Sequence, residues 1–245
     1  MYYVIGDIHG CYKEFQSMLK LIEFNQDNDT MFFVGDYIDR GADSYSMFRW
    51  LEKNCSNEHF KFIKGNHEQE FCACVELLDS IQPANGLLDM CNKLHEKASY
   101  FDTYGTIRKL IQNNNINIVT LCRWAKMFKE MPYYQSIDYC NNHYVIVHAG
   151  FQLSYSEDSS RDFFIYAREE AFIQGGQKDS IIISGHTPTF IEGEFVFNNG
   201  NVFKYFRPEI NCTYYDIDCG CCFRRKYSNA KLACIRLDDM EVFYI

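Results

Sequence analysis

The chain has 245 residues, 47% hydrophobic and 17% aromatic, enough to fill a sizeable core and too apolar for disorder. Its formal net charge of -9 at pH 7 disfavours general binding to nucleic-acid phosphates; the tight basic cluster Arg224, Arg225 and Lys226 reads as solvated surface. No apolar run reaches transmembrane length, so no membrane is expected. Met1 runs straight into YYVIG without a basic leader, and the 12 cysteines read as ordinary thiols of a cytoplasmic protein.

Residues 2–6 predict a buried strand, and CYKEFQSMLKLIE places Tyr12, Phe15, Met18, Leu19 and Ile22 on one helical face. DNDT at 27–30 is a turn, MFFVG at 31–35 a second strand, and Met47, Phe48, Trp50 and Leu51 mark a second helix. HFKFIKG at 59–65 alternates and ends in glycine. The first third therefore reads strand–helix–strand–helix–strand, the signature of an α/β fold. Residues 66–131 predict a mainly helical insert, punctuated by Pro83, Asn85–Gly86 and Asn113–Asn115. SIDYCNNHYVIVHAG predicts a hairpin turning at Asn141–Asn142. RDFFIYAREEAF at 161–172 predicts one helix stopped by Gly175–Gly176. IIISGHTP is a strand, and the tail gives further strands in NVFKYF, CTYYDIDCG, KLACIRL and EVFYI. With no linker and no repeat, 1–245 reads as a single domain.

Polar residues fall in a pattern along this framework. IGDIHG, VGDYIDRG, IKGNHE, VIVHAG and IISGHTP are all apolar runs that end in glycine-flanked acids, amides or histidines. In open α/β sheets ligands bind beyond the carboxyl ends of strands, so such ends can converge on one crevice. Asp7, His9, Asp36, Asn66, His148 and His186 supply two carboxylates, one amide and three imidazoles. That set exceeds one tetrahedral zinc and suits two divalent ions sharing a carboxylate, the usual device for phosphoester hydrolysis, with the ions about 3.5–4 Å apart. Each residue alone has an ordinary reading: Asn66 as a helix cap, Asp39 and Arg40 as a surface pair. Their joint occurrence at glycine-bracketed strand ends favours metal.

The ordered set GDIHG at 6, GDYIDRG at 35 and GNHE at 65, with HAG, GHTP and IDCG downstream, resembles the calcineurin-like metallophosphoesterases. Within them it is similar to the phosphoprotein phosphatase branch, in a compact bacterial or phage form like phage lambda phosphatase. The resemblance implies a central β-sandwich flanked by helices and a site of two divalent ions, manganese first, with iron, zinc or cobalt admissible. It implies that Asp7, His9 and His186 bind the first ion, that Asp36 bridges, and that Asn66 and His148 bind the second. His67 is then the general acid oriented by Asp39, and Arg40 clamps the phosphate with help from Asn66. Arg168 is the expected second phosphate arginine, with Arg161 behind it. Water activated by the two metals attacks phosphorus in line, without a phosphoenzyme.

The resemblance puts a serine/threonine protein phosphatase first, acting on a phosphorylated protein. The alternative is a symmetrical bis(5'-nucleosyl)-tetraphosphatase acting on a nucleotide, for which Tyr or Phe residues in 95–135 could stack a base. A DNA nuclease fits the acidic chain poorly, and a dead scaffold fits the intact ligand set poorly. Lys64 departs from the family's arginine before GNHE, and Cys219 fills the variable slot of IDCG, where it could make activity sensitive to oxidants.

Overall fold

The structure, a computed structural model, describes residues 1–81, 86–97, 101–152, 157–190 and 198–245. Pro83 and Asn85, expected to punctuate the helical region, lie outside the described residues.

Alternation of apolar residues along the strands builds two sheets. In the first, β1 (Tyr2–Ile5) pairs in parallel with β2 (Thr30–Phe33), which pairs in parallel with β3 (Phe60–Lys61). On the other side β1 runs antiparallel to β9 (Ala233–Arg236), and β9 to β10 (Glu241–Tyr244). The second sheet has the order β4 (Tyr134–Tyr139), β5 (Asn142–Val147), β6 (Ser180–Ser184), β8 (Cys212–Asp216), β7 (Phe203–Arg207). Its inner neighbours β5, β6 and β8 are parallel and its two outer strands antiparallel.

Because side chains alternate across a strand, each sheet has two faces to bury. Val4, Phe32, Val34, Ile146, Ile183 and Ile235 form the core between the sheets. Their neighbours Tyr3, Ile5, Met31 and Phe33 pack the other way, against α1 (Tyr12–Leu21), α2 (Ser44–Asn54) and the helices of the 66–131 region. Val145, Val147 and Ile182 likewise pack against α7 (Glu157–Tyr166) and α8 (Glu169–Ile173). The result is helices, sheet, sheet, helices. Each fully buried large apolar side chain contributes about 1.5–3 kcal/mol. The helical region comprises α3 (Asn66–Ile81), α4 (Leu87–Lys97), α5 (Phe101–Asn114) and α6 (Ile118–Glu130). Asp43 caps α2 by accepting from the Ser46 N–H at 2.9 Å, and Asn117 caps α6 through the Thr120 N–H at 3.0 Å.

Two local expectations shift. The hairpin turns at Cys140–Asn141, with φ of 48° and 61°, one residue earlier than expected. Asn142 already pairs with Tyr139, in the register that turns Tyr144 and Ile146 into the core between the sheets. The helix expected over 161–172 is broken between α7 and α8. The Phe163 and Phe164 carbonyls, which a continuous helix would pair with its own next turn, accept instead from the N–H groups of Gly150 and Ala149 at 3.2 and 2.7 Å. The strand-end HAG thus terminates α7 and leaves Arg168 at the break.

Among the described residues no helix is long and apolar enough to cross a membrane. All 12 cysteines are free thiols. Arg224 of the basic cluster pairs with Glu14 at 2.8 Å, and Lys226 lies over the Tyr227 ring.

Candidate active site

The five polar strand ends meet at one edge of the two sheets. Asp7 and His9 follow β1, Asp36 follows β2, Asn66 opens α3, His148 follows β5 and His186 follows β6. All except His186 are buried, and His186 is half-buried. The turns that aim them are strained. His9, Asp36, Asp39, Arg40 and His186 all take left-handed backbone, with φ from 45° to 76°. Non-glycine residues held there cost about 1–3 kcal/mol each, and such strain clusters at functional sites. Glycines make room: an added Cβ at Gly185 would overlap Asp7 Oδ1, and one at Gly65 would overlap Asp36 Oδ1.

Asp36 faces both ways. Its Oδ2 lies 3.3 Å from His9 Nε2 and its Oδ1 3.4 Å from His148 Nε2. His148 Nε2 is 3.0 Å from Asn66 Oδ1 and 3.2 Å from His186 Nδ1, and His186 Nδ1 is 3.0 Å from Asn66 Oδ1. The ring of His186 therefore stands with Asn66 and His148, not with Asp7 and His9 as the resemblance implies. Its tie to Asp7 is through the backbone, the His186 N–H donating to Asp7 Oδ2 at 3.0 Å.

This donor set suits cations. His9 Nδ1 bonds the Ile38 carbonyl and His148 Nδ1 the Val34 carbonyl, both at 2.8 Å, which fixes each proton on Nδ1 and turns the Nε2 lone pair inward. Burial pushes the His9, His148 and His186 rings toward the neutral form that ligates metal. Asp7 Oδ1 is buried with no hydrogen-bond partner, and burial, then Asp218 and Asp36, push this carboxyl up. Lone pairs and carboxylate oxygens thus converge within 3.0–3.4 Å of one another, a costly arrangement unless positive charge lies among them. Asn66 spends an amide hydrogen on Glu70 Oε1 at 3.1 Å, which leaves its Oδ1 for the site.

Behind the donors stands an acid–base pair. His67 Nδ1 is 2.6 Å from Asp39 Oδ2, and both side chains are buried. Burial works against a charge on His67, but the Asp36 and Asp39 carboxylates outweigh it and hold the ring's pKa up at about 9. His67 Nε2 also comes within 3.9 Å of Asp36 Oδ2, and His9, Asp36 and His67 together could hold an ion, but the Nδ1 of His67 is committed to Asp39. Arg40 reaches the same crevice. Its Nη1 lies 3.1 Å from His9 Nε2 and its Nε donates to Asp102 Oδ2 at 3.2 Å. Arg168 is exposed and approaches Thr187 of GHTP, Nη1 to Oγ1 at 3.5 Å, whereas Arg161 lies over the Tyr133 ring.

Some contributors carry no role in the sequence reading. Glu68 accepts from the N–H groups of Asp36, Tyr37 and Gly65 at 2.9, 2.9 and 3.0 Å, tying two motif turns together. Its place in GNHE was the available signal. Asp102 and Thr103 of α5 reach the site from a region without a motif. Of the aromatic residues in 95–135, Tyr104 and Phe128 are core, and Tyr100 lies outside the described residues. A further aromatic rim stands after β8: Phe223 lies 5.8 Å from the Arg40 guanidinium carbon. Cys219 is buried near Thr189, and burial pushes its thiol well up, an unreactive setting. Lys64 lies over the Tyr133 ring at 4.9 Å.

Comparison with known proteins places this geometry. The Calcineurin-like phosphoesterase family profile matches residues 2–219. The chain is 41% identical over 91 residues to a symmetrical bis(5'-nucleosyl)-tetraphosphatase of Wigglesworthia glossinidia brevipalpis, covering 37% of this chain and 33% of the relative. It is 32% identical over 127 residues to the protein of the same name from Buchnera aphidicola subsp. Schizaphis graminum, covering 52% and 39%. The matches to these two relatives span between a third and two fifths of their length. In fold it is similar to a candidate diadenosine tetraphosphatase, with TM-score 0.59, 17% identity and coverage of 100% and 92%. It is also similar to a protein serine/threonine phosphatase from Saccharomyces cerevisiae, with TM-score 0.52, 16% identity and coverage of 100% and 78%. With an α/β sandwich, converging strand-end ligands and a family match over most of its length, the chain belongs to the calcineurin-like phosphoesterases, metal-binding hydrolases.

Proposed function

We propose that the chain is a divalent-metal-dependent phosphohydrolase that cuts a dinucleoside polyphosphate at an internal phosphoanhydride, with a symmetrical dinucleoside tetraphosphate as first candidate. The observation that carries the nucleotide side is the rim beside Arg40. Phe223 lies 5.8 Å from its guanidinium carbon, Tyr227 6.4 Å from Phe223, and Phe190 5.2 Å from Tyr227. An arginine that takes phosphate next to rings that take a base matches the two halves of a nucleotide. The names of the relatives support the same order, which reverses the preference drawn from the motifs alone.

In this reading Asp7, His9 and Asp36 hold one ion, and Asp36, Asn66, His148 and His186 hold the other. When bound, two such ions neutralise phosphate charge and lower the pKa of water; manganese is the first choice for this oxygen and imidazole set. Arg40 offers its planar fork to phosphate oxygens while Asp102 steadies its Nε, and Arg168 approaches from the other rim. Water is the co-reactant. Its oxygen forms the new bond to phosphorus and gives up one proton to solvent, the central P–O bond breaks, and the leaving oxygen takes the Nε2 proton of His67, which solvent then restores. Asp39 keeps that ring oriented. The products are two nucleoside diphosphates.

The test sets diadenosine tetraphosphate and a phosphoserine peptide side by side with purified, manganese-loaded protein. Two diphosphates on the chromatogram, without free phosphate, are expected. Phosphate release from the peptide with the dinucleotide left intact would replace this reading by the protein phosphatase.

A further inference from the structure

The first turn of α5 closes over the acid–base pair from outside every motif. Thr103 is completely buried, and its Oγ1 donates to Asp39 Oδ2 at 2.8 Å, across 64 residues of sequence. The same oxygen receives His67 Nδ1 at 2.6 Å. The other oxygen of the carboxylate, Asp39 Oδ1, is buried with no hydrogen-bond partner. The hydroxyl of Thr103 thus spends its one hydrogen on Asp39.

We propose that Thr103 is a positioning residue for proton delivery. Its hydroxyl locks the Asp39 carboxylate so that His67 keeps Nε2 turned toward Asp36 and the reacting phosphate. This rests on the reading of His67 as proton donor given above. The terminal torsion of an aspartate is broad, and one bond to a histidine leaves the carboxylate free to swing about it. A second donor on the same oxygen removes that freedom. It also answers what the helical region does for the site. Successive residues of α5 engage the two halves of the machinery, since Asp102 accepts from Arg40 Nε at 3.2 Å. Thr103 is the stronger handle of the two, because it is buried while Asp102 is exposed.

Thr103→Val keeps the volume and removes the hydroxyl; Thr103→Ser restores it. The first readout is the His67 Nδ1–H resonance in the zinc-loaded, diamagnetic full chain, assigned by its loss in His67→Asn. Thr103→Val should move or broaden it, and Thr103→Ser should return it. The second readout compares phenyl phosphate, whose leaving phenolate has a pKa of about 10, with p-nitrophenyl phosphate, a far better leaving group. Help from an acid matters more for the poorer leaving group. The valine variant should therefore lose about tenfold more kcat on phenyl phosphate than on p-nitrophenyl phosphate, with serine recovering most of the difference. If Thr103→Val does not fold, Thr103→Ala serves in its place.

An unmoved resonance together with an equal loss on both substrates overturns the role of Thr103. Should His67→Asn itself show no dependence on leaving group, the acid reading falls. The resonance then still decides whether Thr103 holds the pair.

Discussion

Asp36 presents its Oδ2 to His9 Nε2 at 3.3 Å while its other oxygen faces away, toward His148 at 3.4 Å. One carboxylate thus serves both donor clusters, and removing its charge should be felt in both. In Asp36→Asn the amide nitrogen can donate to only one of the imidazole lone pairs, and the remaining oxygen is a weaker ligand. The variant should lose both ions on dialysis, where the parent chain retains about two per molecule. Retention of two tightly held ions, counted by atomic emission, would remove Asp36 from the bridging position.

His67 is the case in which proximity and chemistry point apart. Its Nε2 lies 3.9 Å from Asp36 Oδ2, near enough to serve as a ligand, but its Nδ1 is committed to Asp39 at 2.6 Å, and the Asp36 and Asp39 carboxylates favour the charged ring. His67→Asn should lower turnover by about 10²–10⁴-fold, the range of general acid catalysis, while metal content stays the same. Loss of an ion in this variant would make His67 a ligand instead.

How far the sequence could be read depended on how local each feature is. Asp7, His9, Asp36, Asn66, His148 and His186 were legible because each sits where an apolar run ends in glycine, and that pattern needs only a few neighbouring residues. The split of the three histidines was not, because His186 touches Asp7 through its backbone and Asn66 through its ring. Arg168 could be named, but not the break in the helix that carries it. That break is set by Ala149 and Gly150 taking carbonyls from a helix later in the chain. Thr103 and Asp102 had no signal at all. They sit in an ordinary amphipathic helix, and only the packing of α5 against the site gives them work.

Phe223 tests the nucleotide reading from the chain's own side. A base stacked on an aromatic ring is worth about 1–3 kcal/mol, so Phe223→Ala should lower kcat/KM for diadenosine tetraphosphate by roughly tenfold or more. Phe223→Tyr should keep most of it, since the ring is retained. The loss should be larger for the dinucleotide than for inorganic tripolyphosphate, which has no base to stack. Equal losses on both would make Phe223 a packing partner of Arg40 rather than a base shelf.

The helical region should answer to Trp124 in a way that separates volume from polarity. Trp124 is fully buried on α6 and stacks on Phe48 of α2, with centroids 4.3 Å apart and planes 15° from parallel. Truncating it to alanine should cost about 3–5 kcal/mol, the usual range for a large aromatic residue in a core. Yet its indole Nε1 is buried without a hydrogen-bond partner, a burden of about 1–3 kcal/mol that the folded state already carries. Trp124→Phe removes that nitrogen along with part of the volume, so the two effects oppose each other. Urea unfolding should show Trp124→Phe close to the parent and Trp124→Ala far below it. A phenylalanine variant as unstable as the alanine one would mean that the indole N–H is satisfied in solution and that shape alone sets the stability of this layer.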